Sequence, residues 1–187
     1  MGRRSVRMKI VLQRPILICL AALGFAGEPK PLHVHNFAEV NDHLYRGGAP
    51  SNIGLEELAA MHVSMIIDLR EPGEGTDFEK QALKTLRMKY VNIPLRPFSA
   101  PSQEQMDHVL SLLLNSNSER IFLHCRRGKD RTGTVIACYR MQHDGWDKRA
   151  ALAEALKHGM SFTERGMRSF ILEFTPSGPS ALAKASK

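Results

Sequence analysis

Hydrophobic residues along this chain fall into short continuous runs and longer stretches with helical spacing. Continuous runs at 63–69, 90–95 and 121–123 predict buried strands, and short segments at 33–37 and 44–46 resemble strands. Stretches in which apolar residues recur every three or four positions predict helices. These stretches lie at residues 51–61, 76–87, 102–115, 134–139, 147–159 and 163–174. Strand-like and helix-like segments therefore alternate along most of the chain.

Polar residues at the expected helix starts support these limits. Ser51 and Asp147 are placed to accept hydrogen bonds from the first backbone N–H groups of their helices. Ser102 and Gln105 have the spacing of a capping box, in which each side chain bonds the backbone N–H of the other residue. We therefore expect these helices to begin immediately after residues 51, 102 and 147.

The alternation predicts an α/β fold. We expect a single domain at residues 32–174, with a central, mostly parallel sheet of about four to five strands and helices on both faces. In such sheets, ligands bind at the carboxyl ends of the strands. Residues that follow strands are therefore the first candidates for function.

Residues 1–26 differ in composition from the rest of the chain. A basic start is followed by an apolar run at 16–26, which ends in the small-x-small site Gly24-Phe25-Ala26. This is typical of a secretory signal peptide, because the apolar run is short for a membrane span. We expect export to the periplasm or the medium, with an uncleaved N-terminal membrane anchor as the alternative. The composition of residues 175–187 predicts a disordered tail.

Much of the net charge of +7 comes from the N-terminal segment. Without its five basic residues, the 26 basic residues of the chain fall to 21, against 19 acidic ones. This balance gives no electrostatic footprint for nucleic acid, and no zinc-finger or helix-turn-helix motif is present. We therefore expect no nucleic-acid partner.

Removal of a signal peptide would leave two of the three cysteines, Cys125 and Cys138. Cys138 lies ~9 Å along its helix from the entry at Thr132, so a disulfide with Cys125 would be strained or impossible. Cys138 is interpreted as a small buried hydrophobic residue. His33 and His35 share a strand face but have no third ligand nearby, so no metal site is predicted.

Residues 124–133, with the sequence HCRRGKDRTG, carry the chemistry. They lie between a strand and a helix, and a loop that enters a helix N-terminus presents unpaired backbone N–H groups suited to phosphate. Cys125 supplies a thiol that this environment favours as the thiolate. Arg131 supplies a planar guanidinium that can hold two oxyanion oxygens. The segment therefore predicts an anion site that can also react.

The segment resembles the signature loop of the protein tyrosine phosphatase superfamily, in which His-Cys is followed after five residues by Arg-Ser/Thr-Gly. The order of elements over 33–174 is similar to that of compact dual-specificity-type members, including lipid and inositol-phosphate phosphatases. The resemblance implies that Cys125 attacks phosphorus, that water hydrolyses the phosphocysteine, and that no metal or organic cofactor is needed. The other loop residues implied to bind phosphate or shape the loop are His124, Arg126, Arg127, Gly128, Lys129, Thr132 and Gly133.

In this superfamily an aspartate after the preceding strand usually protonates the leaving group, but the loop at 96–102 contains no Asp or Glu. Asp130, immediately before Arg131, is our candidate acid, as in myotubularin-like members. A salt bridge or cap within the loop is the alternative for its carboxyl group. Glu104 and Asp107 could also approach, although the first turn of a helix is the simpler explanation of Glu104.

Arg70 and Arg96 follow predicted strands at the same sheet edge. They are candidates for contacting substrate, and solvated surface arginines are the alternative. The many cations of the signature loop resemble members that act on phosphoinositides or inositol polyphosphates.

The expected partner is therefore a phosphorylated substrate, either a phosphoprotein or an inositol phosphate, and the expected state is a monomer. A phosphate-binding module without turnover is the alternative function. Sulfurtransfer and arsenate reduction also use loops with a basal cysteine, but they fit these residues less well.

Overall fold

The computed structural model describes residue 2, residues 33–115 and residues 119–178. In this part of the chain, five strands form one sheet in the order β1-β2-β5-β3-β4. The strands are β1 (Ala38–Glu39), β2 (Leu44–Gly48), β3 (Val63–Asp68), β4 (Lys89–Asn92) and β5 (Arg120–Cys125). The helices are α1 (Asn52–Ala60), α2 (Thr76–Thr85), α3 (Gln103–Asn115), α4 (Asp130–His143), α5 (Lys148–Lys157) and α6 (Arg165–Glu173).

The predicted α/β sheet is confirmed. Strands β2, β5, β3 and β4 run parallel to one another, and the short edge strand β1 pairs with β2 in the antiparallel direction. Helices α3 to α6 pack on one face and α1 and α2 on the other. Successive β3 residues therefore enter different cores: Met65 and Ile67 contact the first and Ile66 the second. Burial on both faces explains the continuous apolar run.

Two predicted strands differ from the observed ones. Residues 33–37 form turns and bends instead of a strand, and Asn36 has a φ of 52°, which lies in the left-handed region. The strand predicted at 90–95 ends at Asn92. Pro94 has no backbone N–H to continue the ladder, although the N–H groups of Ile93 and Leu95 still bond β3 and its following residue.

The predicted helix starts are confirmed. The Ser51 hydroxyl accepts from the Gly54 N–H, and Asp147 caps α5 in the same way. Ser102 and Gln105 form the reciprocal capping box.

The ends of the chain lie mostly outside the described residues. The predicted N-terminal segment lies there apart from residue 2, and so does the predicted tail from residue 179 onward. At the start of that tail, Ser177 exchanges hydrogen bonds with the Gln142 side chain. Across the described ranges, no helix is both long enough and apolar enough to span a membrane.

Candidate active site

The loop that joins the end of β5 to the start of α4 forms one wall of a pocket of about 670 Å³. β5 is the central strand and ends at Cys125, so Cys125 lies at the middle of the carboxyl edge of the sheet. Cys125 is only 3% exposed. The pocket brings together several of the predicted site residues with residues distant in sequence. Its lining residues are Glu74, Pro97, Phe98, Cys125, Arg126, Arg127, Asp130, Arg131, Glu164 and Met167.

The shape of this loop depends on Gly128. Its φ of 69° lies in the left-handed region, and a Cβ added there would be 2.3 Å from the carbonyl carbon of Gly47. The carbonyl oxygen of Gly128 accepts hydrogen bonds from the Asn36 amide at 2.8 Å and from Arg46 Nη2 at 3.1 Å. The glycine predicted from sequence is therefore required by close packing of two backbone segments.

Arg46 lies in β2 and is only 1% exposed. Burial lowers the pKa of its guanidinium to about 10, against the opposing attraction of Glu154. Its Nε and Nη1 atoms have no hydrogen-bond partner among the residues that the structure describes. Arg46 thus places a buried cation behind the signature loop and supports the loop through Gly128.

Arg131, in the first turn of α4, points into the pocket and is held by Glu74. Its Nη1 and Nη2 donate to the two carboxyl oxygens of Glu74, both at 3.1 Å. Nη1 also lies 3.4 Å and 3.3 Å from the carbonyl oxygens of Leu69 and Leu95. The hydrogen bonds from Arg131 lower the pKa of Glu74. This bidentate pair aims the guanidinium before any phosphate arrives.

His124 is fully buried within a network of charged groups. Its Nε2 lies 2.9 Å from Glu79 Oε1 and 3.9 Å from Asp68 Oδ1. Arg70 donates to Asp68 at 2.8–3.1 Å and also to Glu79. The Tyr90 hydroxyl donates to Asp68 Oδ2 at 2.8 Å. The network fixes the residue before Cys125.

Burial opposes the charged form of Asp68, but the hydrogen bonds from Arg70 and the attraction of His124 and Arg70 together lower the pKa of that carboxyl. Donor atoms of Asp68, Glu79 and His124 come within 4.8 Å of one another, close enough to surround a metal ion. The Arg70 guanidinium already supplies the positive charge for both carboxylates. We therefore interpret this cluster as an ion-pair network.

Arg70 was a candidate for contacting substrate, and the structure places it elsewhere. Its guanidinium is only 6% exposed and is bound by Asp68, Glu79 and the Glu74 carbonyl. Arg96 is 83% exposed, lies 3.9 Å from Glu71, and lines a separate groove beside the start of α3. Neither arginine lines the pocket.

The remaining loop residues divide between the pocket and the interior. Arg126 and Arg127 are exposed and line the pocket, whereas the Lys129 side chain lies over Gly159. Thr132 is fully buried, and its hydroxyl makes no hydrogen bond within the described residues. A hydrogen bond from this hydroxyl to Cys125 is therefore not observed. Gly133 lets α4 approach Ala155 of α5 closely.

Asp130 lines the pocket, but both of its carboxyl oxygens have partners. Oδ1 accepts from the Ser161 N–H at 2.8 Å, and Oδ2 accepts from Arg127 Nη2 at 3.3 Å. The carboxyl group thus joins the signature loop to the backbone at Ser161 and forms an ion pair with Arg127. The geometry therefore favours the salt-bridge and cap alternative for Asp130, while its role as the acid stays a prediction.

Cys138 agrees with its interpretation as a buried residue. It is a free cysteine on α4 with no exposure, and burial raises the pKa of its thiol. Cys125 is also free.

Sequence reasoning missed Glu74, Glu164, Arg46 and Asn36. Glu74 follows a strand at the carboxyl edge, the same signal that drew attention to Arg70. Glu164 precedes a helix, where an acidic residue ordinarily serves as a cap. Arg46 and Asn36 reach the signature loop only through the fold, and no local pattern marks them.

A protein-family model described as DSP-PTPase phosphatase fused to NAD+ kinase matches residues 29–171. Inositol diphosphatase DSP2 from rice (Oryza sativa subsp. japonica) is 31% identical over 116 residues, which cover 56% of this chain and 53% of that protein. The chain therefore spans about half the length of this curated relative.

Two solved structures have the same fold. The core catalytic domain of the PP-IP phosphatase SIW14 from S. cerevisiae, in complex with citrate, matches with a TM-score of 0.70 at 22% identity. That match covers 78% of this chain and 89% of the other. P. aeruginosa TpbA in complex with pTyr matches with a TM-score of 0.67 at 19% identity, covering 89% and 96%. At these identities the likeness establishes the fold.

Proposed function

This chain belongs to the DSP-PTPase phosphatase family, and we propose that it is a cysteine-dependent phosphatase that hydrolyses phosphate monoesters through a phosphocysteine intermediate. The observation that carries the proposal is that Cys125 and Arg131 line one pocket at the N-terminus of α4. The family match over residues 29–171 and the name of the rice relative support it. The proposal requires neither a metal nor an organic cofactor.

The backbone around Cys125 suits an anionic reaction. α4 begins at Asp130, so its first N–H groups and the positive end of its dipole face the loop that holds the thiol. Glu74 holds the Arg131 guanidinium at the pocket through hydrogen bonds from Nη1 and Nη2. A phosphoryl group that enters between Cys125 and Arg131 meets a nucleophile on one side and the positive charge of a guanidinium on the other.

For the substrate, we favour a polyanionic inositol phosphate over a phosphoprotein. Arg126 and Arg127 are exposed at the pocket, and Arg126 has no ion-pair partner in the described ranges. A second phosphate on the same ligand would meet these cations while the first lies on Cys125. DSP2 is named an inositol diphosphatase and SIW14 a PP-IP phosphatase. TpbA was crystallised with pTyr, which keeps phosphotyrosine in the test panel.

The test is phosphate release by the full chain under reducing conditions, with Cys125→Ser alongside. The panel holds an aryl phosphate, phosphotyrosine and phosphoserine peptides, a phosphoinositide and inositol hexakisphosphate. For wild type we expect a burst of leaving-group release followed by steady turnover, and we expect Cys125→Ser to show neither. Among the substrates, we expect the highest kcat/KM on an inositol-based one. A higher kcat/KM on the peptides would overturn the substrate preference. Binding without release by wild type would identify a binding module instead.

We also propose that residues 1–26 direct export and that the folded protein is a monomer. The basic start, the apolar run and the small-x-small site support the first proposal. Mass spectrometry of the protein recovered after expression in a bacterial host would test it. A mature N-terminus near residue 27 is expected from cleavage, whereas an intact chain in the membrane fraction would indicate the anchor. Light scattering after gel filtration tests the monomer.

A further inference from the structure

Glu164 lies in the wall of the pocket and has no part in the proposal so far. It is the last residue before α6, and it lines the pocket together with Cys125 and Arg131. Yet it is only 2% exposed. A carboxyl group so fully removed from water needs a partner or a function, because burial of an unpaired polar group is costly.

The ordinary role of such a residue is not observed. Glu164 is at the N-cap position of α6, but its side chain makes no cap hydrogen bond to that helix. Its Oε2 has no hydrogen-bond partner in the described part of the chain. Glu164 is therefore a buried carboxyl group in the same pocket as the nucleophile, and one of its oxygens has no hydrogen-bond partner among the described residues.

The backbone holds Glu164 firmly in this position. A Cβ added at Gly166 would lie 2.9 Å from the backbone nitrogen of Ala100, so the start of α6 packs directly against the loop at 96–102. That loop is where a proton donor is expected from the resemblance, and it contains no acid. α6 thus brings a carboxyl group to the loop that lacks one.

Burial and the nearby Asp130 carboxylate both raise the pKa of Glu164 and so shift it toward its neutral form. The Phe98 N–H, Arg127 and Arg131 oppose this shift without reversing it. Glu74 also lines the pocket, but it is paired with Arg131. A protonated carboxyl is the form that can donate a proton to a leaving group.

We propose that Glu164 is the general acid and base of the phosphatase reaction, in place of the Asp130 assignment. This inference rests on the proposed function. When Cys125 Sγ bonds to phosphorus and the phosphorus–oxygen bond to the leaving group breaks, the departing oxygen takes the proton of Glu164. Water then attacks phosphorus, the phosphorus–sulfur bond breaks to restore the thiolate, and the Glu164 carboxylate takes the proton of the water. Inorganic phosphate leaves, and the enzyme returns to its starting state.

Phenyl phosphate and p-nitrophenyl phosphate test this assignment, because they differ little in shape but strongly in leaving-group basicity. General acids contribute ~10²–10⁴-fold, so Glu164→Gln should lower kcat/KM for phenyl phosphate by about a hundredfold or more. For the nitro compound, whose leaving group needs little help, we expect a loss below about tenfold. The alkaline limb of the wild-type kcat/KM profile on phenyl phosphate should also disappear.

Glu173→Gln, the same change at an exposed position of α6, is the matched control and should behave as wild type. Glu164→Asp keeps a carboxyl group and should retain the alkaline limb at a lower rate, which separates proton transfer from a loss of folding. Asp130→Asn should lower kcat/KM by the same factor for both substrates, since the Asp130 carboxylate supports the loop. Equal losses on both substrates for Glu164→Gln, or a leaving-group-dependent loss only for Asp130→Asn, would overturn the assignment.

The outcome is distinguishable from a failure of the proposed function itself. If wild type releases nitrophenol in a burst that Cys125→Ser lacks, the phosphatase proposal stands whatever Glu164→Gln does. If wild type releases none, both proposals fall together.

Discussion

Replacing Gly128 with alanine tests whether the signature loop is shaped by contact with β2. The added Cβ would lie 2.3 Å from Gly47 C, 2.5 Å from Gly47 O and 2.5 Å from Gly48 N. Ordinary contact begins at 3.4 Å, so the two backbone segments must separate by about 1 Å. Gly47 cannot retreat freely, because the Phe122 and Val34 side chains pack closely against it: a Cβ added at Gly47 would lie 2.8 Å from each of them.

Two effects add in this variant. A left-handed φ costs alanine ~1–2 kcal/mol, and overpacking costs a further ~1–3 kcal/mol, so unfolding free energy should fall by about 2–5 kcal/mol. A displacement of about 1 Å at the reacting groups should lower kcat by about a hundredfold. Urea unfolding and phosphate release measure the two losses. Gly145→Ala is the matched control, because Gly145 has a similar φ of 71° and nothing within 4 Å of its added Cβ.

We expect Gly145→Ala to lose only the left-handed cost, ~1–2 kcal/mol, and to keep its activity. The reasoning would be refuted if Gly128→Ala were no less stable than Gly145→Ala, because the clash with Gly47 would then cost nothing. Full activity in Gly128→Ala would refute the link between loop position and rate.

Two further predictions concern the charges around the loop. Glu74→Gln should cost ~1–3 kcal/mol of unfolding free energy at neutral pH, because Arg131 loses a charged bidentate partner. Since the hydrogen bonds from Arg131 lower the pKa of Glu74, this stability is present above the unfolded value of ~4.3 and is lost as pH falls below it. Urea titrations at several pH values should therefore show the gap between wild type and variant closing in acid; a gap that is constant with pH would contradict the pairing. Asp68→Asn should cost ~1–3 kcal/mol, because the buried Arg70 guanidinium loses the charged acceptor of its hydrogen bonds and keeps only Glu79 as an ionic partner. Glu56→Gln, at an exposed site on α1, is its control in the same unfolding assay, and equal stabilities of the two variants would show that the network contributes nothing.

Much of the fold was predictable because the signals are local. Strand β3 is apolar and buried on both faces from Met65 to Ile67, and the Ser51 and Ser102 caps involve residues three apart. The strand expected at 33–37 was wrong for a tertiary reason. Asn36 adopts a left-handed φ so that its amide can reach Gly128, which lies 92 residues away in sequence. A short segment of mixed residues has no pattern that reveals such a contact.

The residues of the candidate site also differ in whether local sequence signals reveal them. The sequence alone determined that Cys125 and Arg131 meet at the start of a helix, since both belong to one strand–loop–helix unit of ten residues. Only the tertiary structure decided what surrounds them. Glu74 reaches Arg131 across 57 residues, and Glu164 reaches the pocket because α6 packs against the loop at 96–102. Backbone hydrogen bonds and apolar spacing act between near neighbours, whereas the pairing and burial of single charged groups depend on which distant segments the sheet brings together.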